Sequence, residues 1–222
     1  MLYRYRFLSI ALASIIGAAP LMANDIKPPH YRGLVHSTSA GWQFTSDQAL
    51  HDIRPDADVP LRAGDAADAL ADPFPDGAPY PSAATFGDML YTEELGGGYY
   101  SITPGDNGLV FTIPGFLGET TSQLLRIQTV FNGPEPAIVV KGFLGIPGTS
   151  AEVEESALDR VPIPGILLPP GSEFFYEDWY LKPGATWLNV YFFLEPETLL
   201  QSVVIDTLSG KDPLFEDGFE DE

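Results

Sequence analysis

Aromatic side chains set within strand-forming runs are the residues of this 222-residue chain with the clearest chemical meaning. They fall at Tyr99-Tyr100, Phe174-Phe175-Tyr176, Trp179-Tyr180 and Tyr191-Phe192-Phe193. Successive side chains of a strand point to opposite faces, so each cluster sends rings both ways. One set fills a core. The other is a flat apolar platform for sugar rings or for a partner surface, unless loops cover it. Tyr99, Tyr100, Tyr176, Trp179 and Tyr180 are the candidate ligand-binding residues on this reading. Packing in the core and beneath loops accounts for the same rings without any ligand.

Other chemistries have weaker support. His30, His36 and His51 all lie in the strand-poor N-terminal part, and His30 and His36 are not at a spacing that a helix or strand aligns on one metal. No serine occupies a Gly-x-Ser-x-Gly elbow, and no phosphate-binding glycine pattern precedes a helix. Gly96-Gly97-Gly98 stands before a strand and reads as a turn. Glu152 and Glu154 share a strand face by alternation, with Glu177 as a partner across the sheet. Glycoside hydrolysis needs such carboxylates about 5 or 9 Å apart, which nothing in the sequence provides, and solvated strand faces explain these residues better. No catalytic residue is assigned. Asp56, Asp58, Asp65, Asp68, Asp72 and Asp76 supply the hard oxygens that calcium takes, though without EF-hand order. No cofactor is expected, and these residues leave room for a structural calcium ion.

The elements that position these residues are read from composition and punctuation. Arg4 and Arg6, the apolar stretch from Phe7 to Met22, and Ala23 have the layout of a secretory leader. The apolar stretch is short and broken by Gly17 and Pro20, which disfavours a membrane span. The expectation is an exported protein destined for the periplasm, the cell surface or the medium, with no membrane insertion after cleavage. Absence of cysteine excludes disulfides and thiol chemistry. The chain has 11 basic and 31 acidic residues, a net charge of −20. Loss of Arg4 and Arg6 leaves 9 basic against 31 acidic residues, near −22. Nucleic acid is excluded as a partner, because phosphate binding needs clustered Lys and Arg.

Residues 24–82 read as a first strand at Gly41-Trp42-Gln43-Phe44-Thr45 followed by a long Pro/Asp/Ala-rich loop packed on the sandwich. Residues 83–209 hold the β-sandwich core. Strands are expected at Met89–Thr92, Gly98–Thr103, Leu109–Ile113, Gln123–Phe131, Ala137–Leu144, Glu152–Leu158, Glu173–Leu181, Trp187–Leu194 and Leu200–Thr207. Leu125-Arg126-Ile127-Gln128-Thr129 shows the alternation of a half-buried strand. Trp187 is placed in the core with Leu188, Val190 and Phe192. Residues 210–222 form an acidic tail whose like charges keep it solvated and disordered, with Phe215 and Phe219 four residues apart. Many short strands separated by turns give an all-β, antiparallel, jelly-roll-like sandwich.

Several stretches resemble uncharacterised exported bacterial β-sandwich proteins, of the kind that often carry C-terminal sorting tags. These are Gly41–Thr45, Pro75–Tyr80, Leu109–Pro114, Leu125–Thr129, Thr186-Trp187, Val203–Thr207 and the ending Asp212–Glu220. The resemblance implies a jelly-roll sandwich and no activity; the spacing of Phe215 and Phe219 would suit a recognition tag read by envelope machinery, against the simpler reading of a plain disordered end. The reading is an exported non-enzymatic protein with a binding or structural role at the cell envelope or outside the cell. A polysaccharide or an envelope protein is the expected kind of partner. A carbohydrate-binding module is the alternative, and a jelly-roll glycoside hydrolase a weaker one. The leader reading predicts cleavage after Ala23, so N-terminal sequencing of the exported protein should begin at Asn24. An intact Met1 in a membrane fraction would overturn it.

Overall fold

The computed structural model describes residues 26–32, 37–46, 81–114, 122–144, 151–153, 155–162, 168, 171–181, 185 and 187–210. The Asp-rich stretch 56–76, His36, His51, Glu154, the leader and the tail 211–222 lie outside the described residues.

Alternation builds the sheets. In β5 (Gly108–Pro114), Leu109, Phe111 and Ile113 point inward, as do Leu188, Val190 and Phe192 of β11 (Trp187–Phe193). The other strands are β1 (Ser37–Gln43), β2 (Ser82–Phe86), β3 (Met89–Thr92), β4 (Gly98–Ser101), β6 (Ser122–Asn132), β7 (Ala137–Leu144), β8 (Ala151–Val153), β9 (Glu155–Pro162), β10 (Ser172–Leu181) and β12 (Leu199–Gly210). One sheet runs β3-β4-β12-β6-β10-β9, with β1 also paired to β12; the other runs β2-β5-β11-β7-β8. All these strand pairs are antiparallel. The order β4-β12-β6-β10 facing β5-β11-β7-β8 is the connectivity of a jelly roll.

Between the sheets, Trp42 and Phe192 each meet Phe111 edge to face, with ring centroids 4.8 and 5.2 Å apart. Phe44 and Tyr99 meet at 5.2 Å, and Phe131 and Phe175 at 5.5 Å. Each such pair contributes about 0.5–1.5 kcal/mol beyond the area it buries. β12 is long enough to take β4 at Leu199 and Leu200 and β1 from Ser202 to Leu208 on the same edge. The register shifts between Leu200 and Ser202, and Gln201 there ties neighbouring segments together. Its carbonyl accepts from the Phe44 N–H at 3.0 Å, and its side chain bonds the Leu95 carbonyl at 2.7 Å and Ser172 at 2.5 Å. Gly97 makes this junction fit. Its φ is +92°, and a Cβ there would stand 2.2 Å from the Phe44 carbonyl oxygen.

The outer face of the larger sheet is covered over β12, β6 and β10. Register lines up Ser39, Asp206, Arg126 and Asp178 across β1, β12, β6 and β10. Asp206 is 0% exposed. Its carboxylate accepts from Arg32 Nε and Nη2, both at 2.6 Å, and from Ser39 Oγ at 2.6 Å. Arg126 holds Asp178 through two bonds of 2.7 and 2.6 Å. Residues 26–32 lie across this row: the Lys27 N–H donates to Gln128 Oε1 at 2.6 Å, and Tyr31 packs with Leu124 and Leu208. Removing one partner of a buried ion pair costs about 3–5 kcal/mol, so Arg32 fastens the segment firmly.

Three strand expectations change. β1 begins at Ser37 rather than Gly41, and β2 was not anticipated, because its Ala and Ser residues carry weak strand signals. The single strand expected over Glu152–Leu158 is two, β8 in the smaller sheet and β9 in the larger. Propensity does not mark a change of sheet.

Tyr31 generates a pH prediction. Burial, and then the charges of Asp206 and Asp178, hold its hydroxyl well above the ordinary tyrosine pKa, while Arg126 and Arg32 pull the other way. Above about pH 10 the unfolded chain releases this proton and the folded protein keeps it. The folded state then binds more protons, so the contribution is whole below about pH 10 and lost as pH rises further. Urea unfolding of Tyr31→Phe should show a shallower loss of stability from about pH 10 to about pH 11 than the parent. Equal losses would assign the effect elsewhere.

Candidate functional site

The outer face of the smaller sheet is built differently. Once Leu188, Val190 and Phe192 point inward, alternation turns Trp187, Asn189, Tyr191 and Phe193 outward. Register then sets their neighbours in rows. Ser82, Thr112, Asn189 and Lys141 form a polar row across β2, β5, β11 and β7. Ala84, Val110, Tyr191 and Val139 form the next, and Phe86, Gly108, Phe193 and Ala137 the one beyond it. On the other side of the polar row stand Trp187 and Phe143.

The rings form two patches. Phe86 meets Phe193 edge-on at 5.5 Å and Tyr191 at 6.2 Å, while Tyr191 and Phe193 lie within 21° of parallel at 6.3 Å. Gly108 opens the ground between Phe86 and Phe193. A Cβ there would stand 1.7 Å from the Phe192 carbonyl oxygen and 3.0 Å from Phe86 Cζ. In the second patch Trp187 stacks on Phe143 at 4.1 Å and 13°. Between the patches, Thr112 Oγ1 donates to Asn189 Oδ1 at 3.1 Å, and Asn189 Nδ2 donates to Tyr191 Oη at 3.2 Å. Phe86, Val110, Thr112, Asn189, Tyr191, Phe193, Lys141 and Phe143 are all half-exposed, and Val139 is 36% exposed. Among the described residues in register on this face, Lys141 and, opposite Phe143 in β8, Glu152 are the charged ones.

The five residues singled out from sequence do not converge. Tyr99 is wholly buried between the sheets, against Phe44 and Tyr91. Trp179 also faces the interior, and its Nε1 donates to Glu177 at 3.0 Å. Tyr176 lies on the covered outer face with Ile26 and Leu168 packed nearby, and the Arg126 guanidinium sits 4.3 Å above its ring. Tyr180 packs with Tyr31, Leu124 and Leu208 on that same face. Tyr100 is half-exposed on the β3–β4 hairpin, opposite the exposed Leu90. Four of the five are therefore core or covered residues, because both faces of β10 are buried. Glu152 and Glu177 belong to different sheets, and Glu177 is buried beside Trp179. His30 is exposed, edge-on to Tyr31. Among the described residues no three His, Asp or Glu side chains gather as a metal site.

Phe86, Thr112, Phe143 and Asn189 were missed by sequence reasoning. Alternation from Leu188 outlines the β11 members, but only register brings β2, β5 and β7 beside them. Trp187 is buried as expected, but alternation sets it on the face opposite Leu188, Val190 and Phe192, stacked on Phe143 outside the inter-sheet cluster.

Fold and face together define a jelly-roll sandwich with one open, aromatic-lined sheet face. No protein-family model, curated protein or solved structure matches the chain.

Trp187 is 9% exposed, so its ring still contributes to stability. It lies outside the inter-sheet cluster, so Trp187→Ala should cost about 1.5–3 kcal/mol, the transfer term of one buried ring. Trp42→Ala, between the sheets, should cost about 3–5 kcal/mol. Urea unfolding compares them, and equal costs would return Trp187 to the core.

Proposed function

We propose that this is an exported, non-enzymatic binding protein of the cell envelope or its surroundings, and that it binds through the outer face of the smaller sheet. The observation that carries the reading is the pair of ring patches on this face, in a chain of net charge −20. Soluble proteins seldom leave contiguous apolar ground open without a use for it. Aromatic rings supply large, rigid contact area with few torsions to immobilise, which suits them to binding. The leader layout and the likeness to exported β-sandwich proteins support an extracytoplasmic setting. Placement of Glu152 and Glu177 in different sheets supports a role without hydrolysis. A carbohydrate-binding role is the second reading, favoured by the hydrogen-bonded Thr112–Asn189–Tyr191 chain between the ring patches.

The test is co-sedimentation of the mature protein with washed, insoluble bacterial envelope material. The parent should pellet, and Tyr191→Ala with Phe193→Ala should weaken the association about tenfold or more, the loss of a central anchor. Tyr100→Ala, on the other sheet, should pellet like the parent. If the double variant keeps its fold and pellets as well as the parent, this face is not the binding surface.

A further inference from the structure

We infer that the ligand of this face is a neutral polysaccharide chain of pyranose units, lying along β11. The inference rests on the reading of the face as the binding surface and adds the chemistry of its occupant. Trp187, Asn189, Tyr191 and Phe193 span about 20 Å along the strand at its usual rise, which suits an extended ligand rather than a single small molecule. Half-exposed rings of the kind that pack on the C–H faces of sugars stand at both ends: Tyr191 with Phe193 at one, and Phe143, backed by the buried Trp187, at the other.

The polar row between them decides the ligand's chemistry. Thr112 spends its proton on Asn189, and Asn189 spends one N–H on Tyr191. That leaves the Tyr191 proton, the second Asn189 amide proton and the Thr112 lone pairs as an adjacent set of donors and acceptors. A hydroxyl-rich chain satisfies such a set. An acyl chain would strip it of water and give nothing back, at a cost of about 1–3 kcal/mol for each unpaired group.

Charge narrows the choice further. A uronic or sulfated polymer approaches a protein of net charge −20, and a second copy of the chain brings that same charge. A neutral polymer carries none of these penalties.

Affinity electrophoresis in native gels containing hydroxyethylcellulose, galactomannan, dextran or alginate tests the inference. At least one of the three neutral polymers should slow the mature protein at least twofold, and alginate should not. Tyr191→Ala and Asn189→Ala should each abolish the retardation, while Tyr100→Ala should keep it. Thermal melts confirm that each variant is folded, and Asn189→Ala, a half-exposed position, serves if Tyr191→Ala is not. The inference is overturned if no neutral polymer slows the parent, if alginate alone does, or if folded Asn189→Ala migrates like the parent. Sedimentation velocity separates the alternatives. A dimer lost in Tyr191→Ala would make a second copy the occupant, overturning the glycan while leaving the face a binding surface. Sedimentation with envelope material through this face, without retardation by any neutral polymer, would likewise remove the glycan and not the proposed function.

Discussion

A buried carboxylate at the middle of β12 sets the terms for the whole molecule. Asp206 is fully enclosed on the outer side of its sheet, where a bare charge would be prohibitive to hold. Arg32 meets it with two hydrogen bonds and Ser39 with a third. Since Arg32 is far away in sequence, satisfying Asp206 requires residues 26–32 to cross the sheet. That crossing brings Tyr31 onto Leu124 and Leu208 and the Lys27 N–H onto Gln128. Charge pairing on β12 thus closes one face of the sandwich.

The two outer faces then contrast sharply in chemistry. On the larger sheet, ion pairs lie under a covering segment, and aromatic rings such as Tyr176 are packed beneath or beside it. On the smaller sheet, rings and a neutral hydrogen-bonded chain stay half-open to solvent. A charged row left open would be screened and weak, so it gains from cover. A ring-bearing face left open costs hydration free energy that binding recovers. The inter-sheet core of edge-to-face aromatics lets one molecule carry both faces, because it stabilises the sandwich independently of either.

Much of the fold was legible along the chain. Leu125 and Ile127 against Arg126 and Gln128, and the Gly/Pro punctuation near Pro104-Gly105 and Asn132-Gly133-Pro134, marked strands and turns through local rules. β2 escaped because Ser82-Ala83-Ala84 has little strand propensity; pairing with β5 makes it a strand. The candidate site was legible only in part. Tyr191 and Phe193 stood out as rings but not as candidates for binding, whereas Tyr99 and Trp179 did, because a sequence shows which residues share a face without showing which face is inside.

The amino-acid sequence by itself determined the all-β class, the positions of most strands, the acidic surface and the absence of thiol chemistry, since these follow from composition and from a period of two between neighbours. Tertiary structure alone decided which of two alternating faces lies inward, which outer face is covered, and which residues stand together. Asp206 meets Arg32 and Ser39, and Asn189 meets Thr112, across separations of 174, 167 and 77 residues. No local rule reaches so far. Such contacts depend on strand register and on the order in which β4, β12, β6 and β10 pair, and these are settled only when both sheets close over one core.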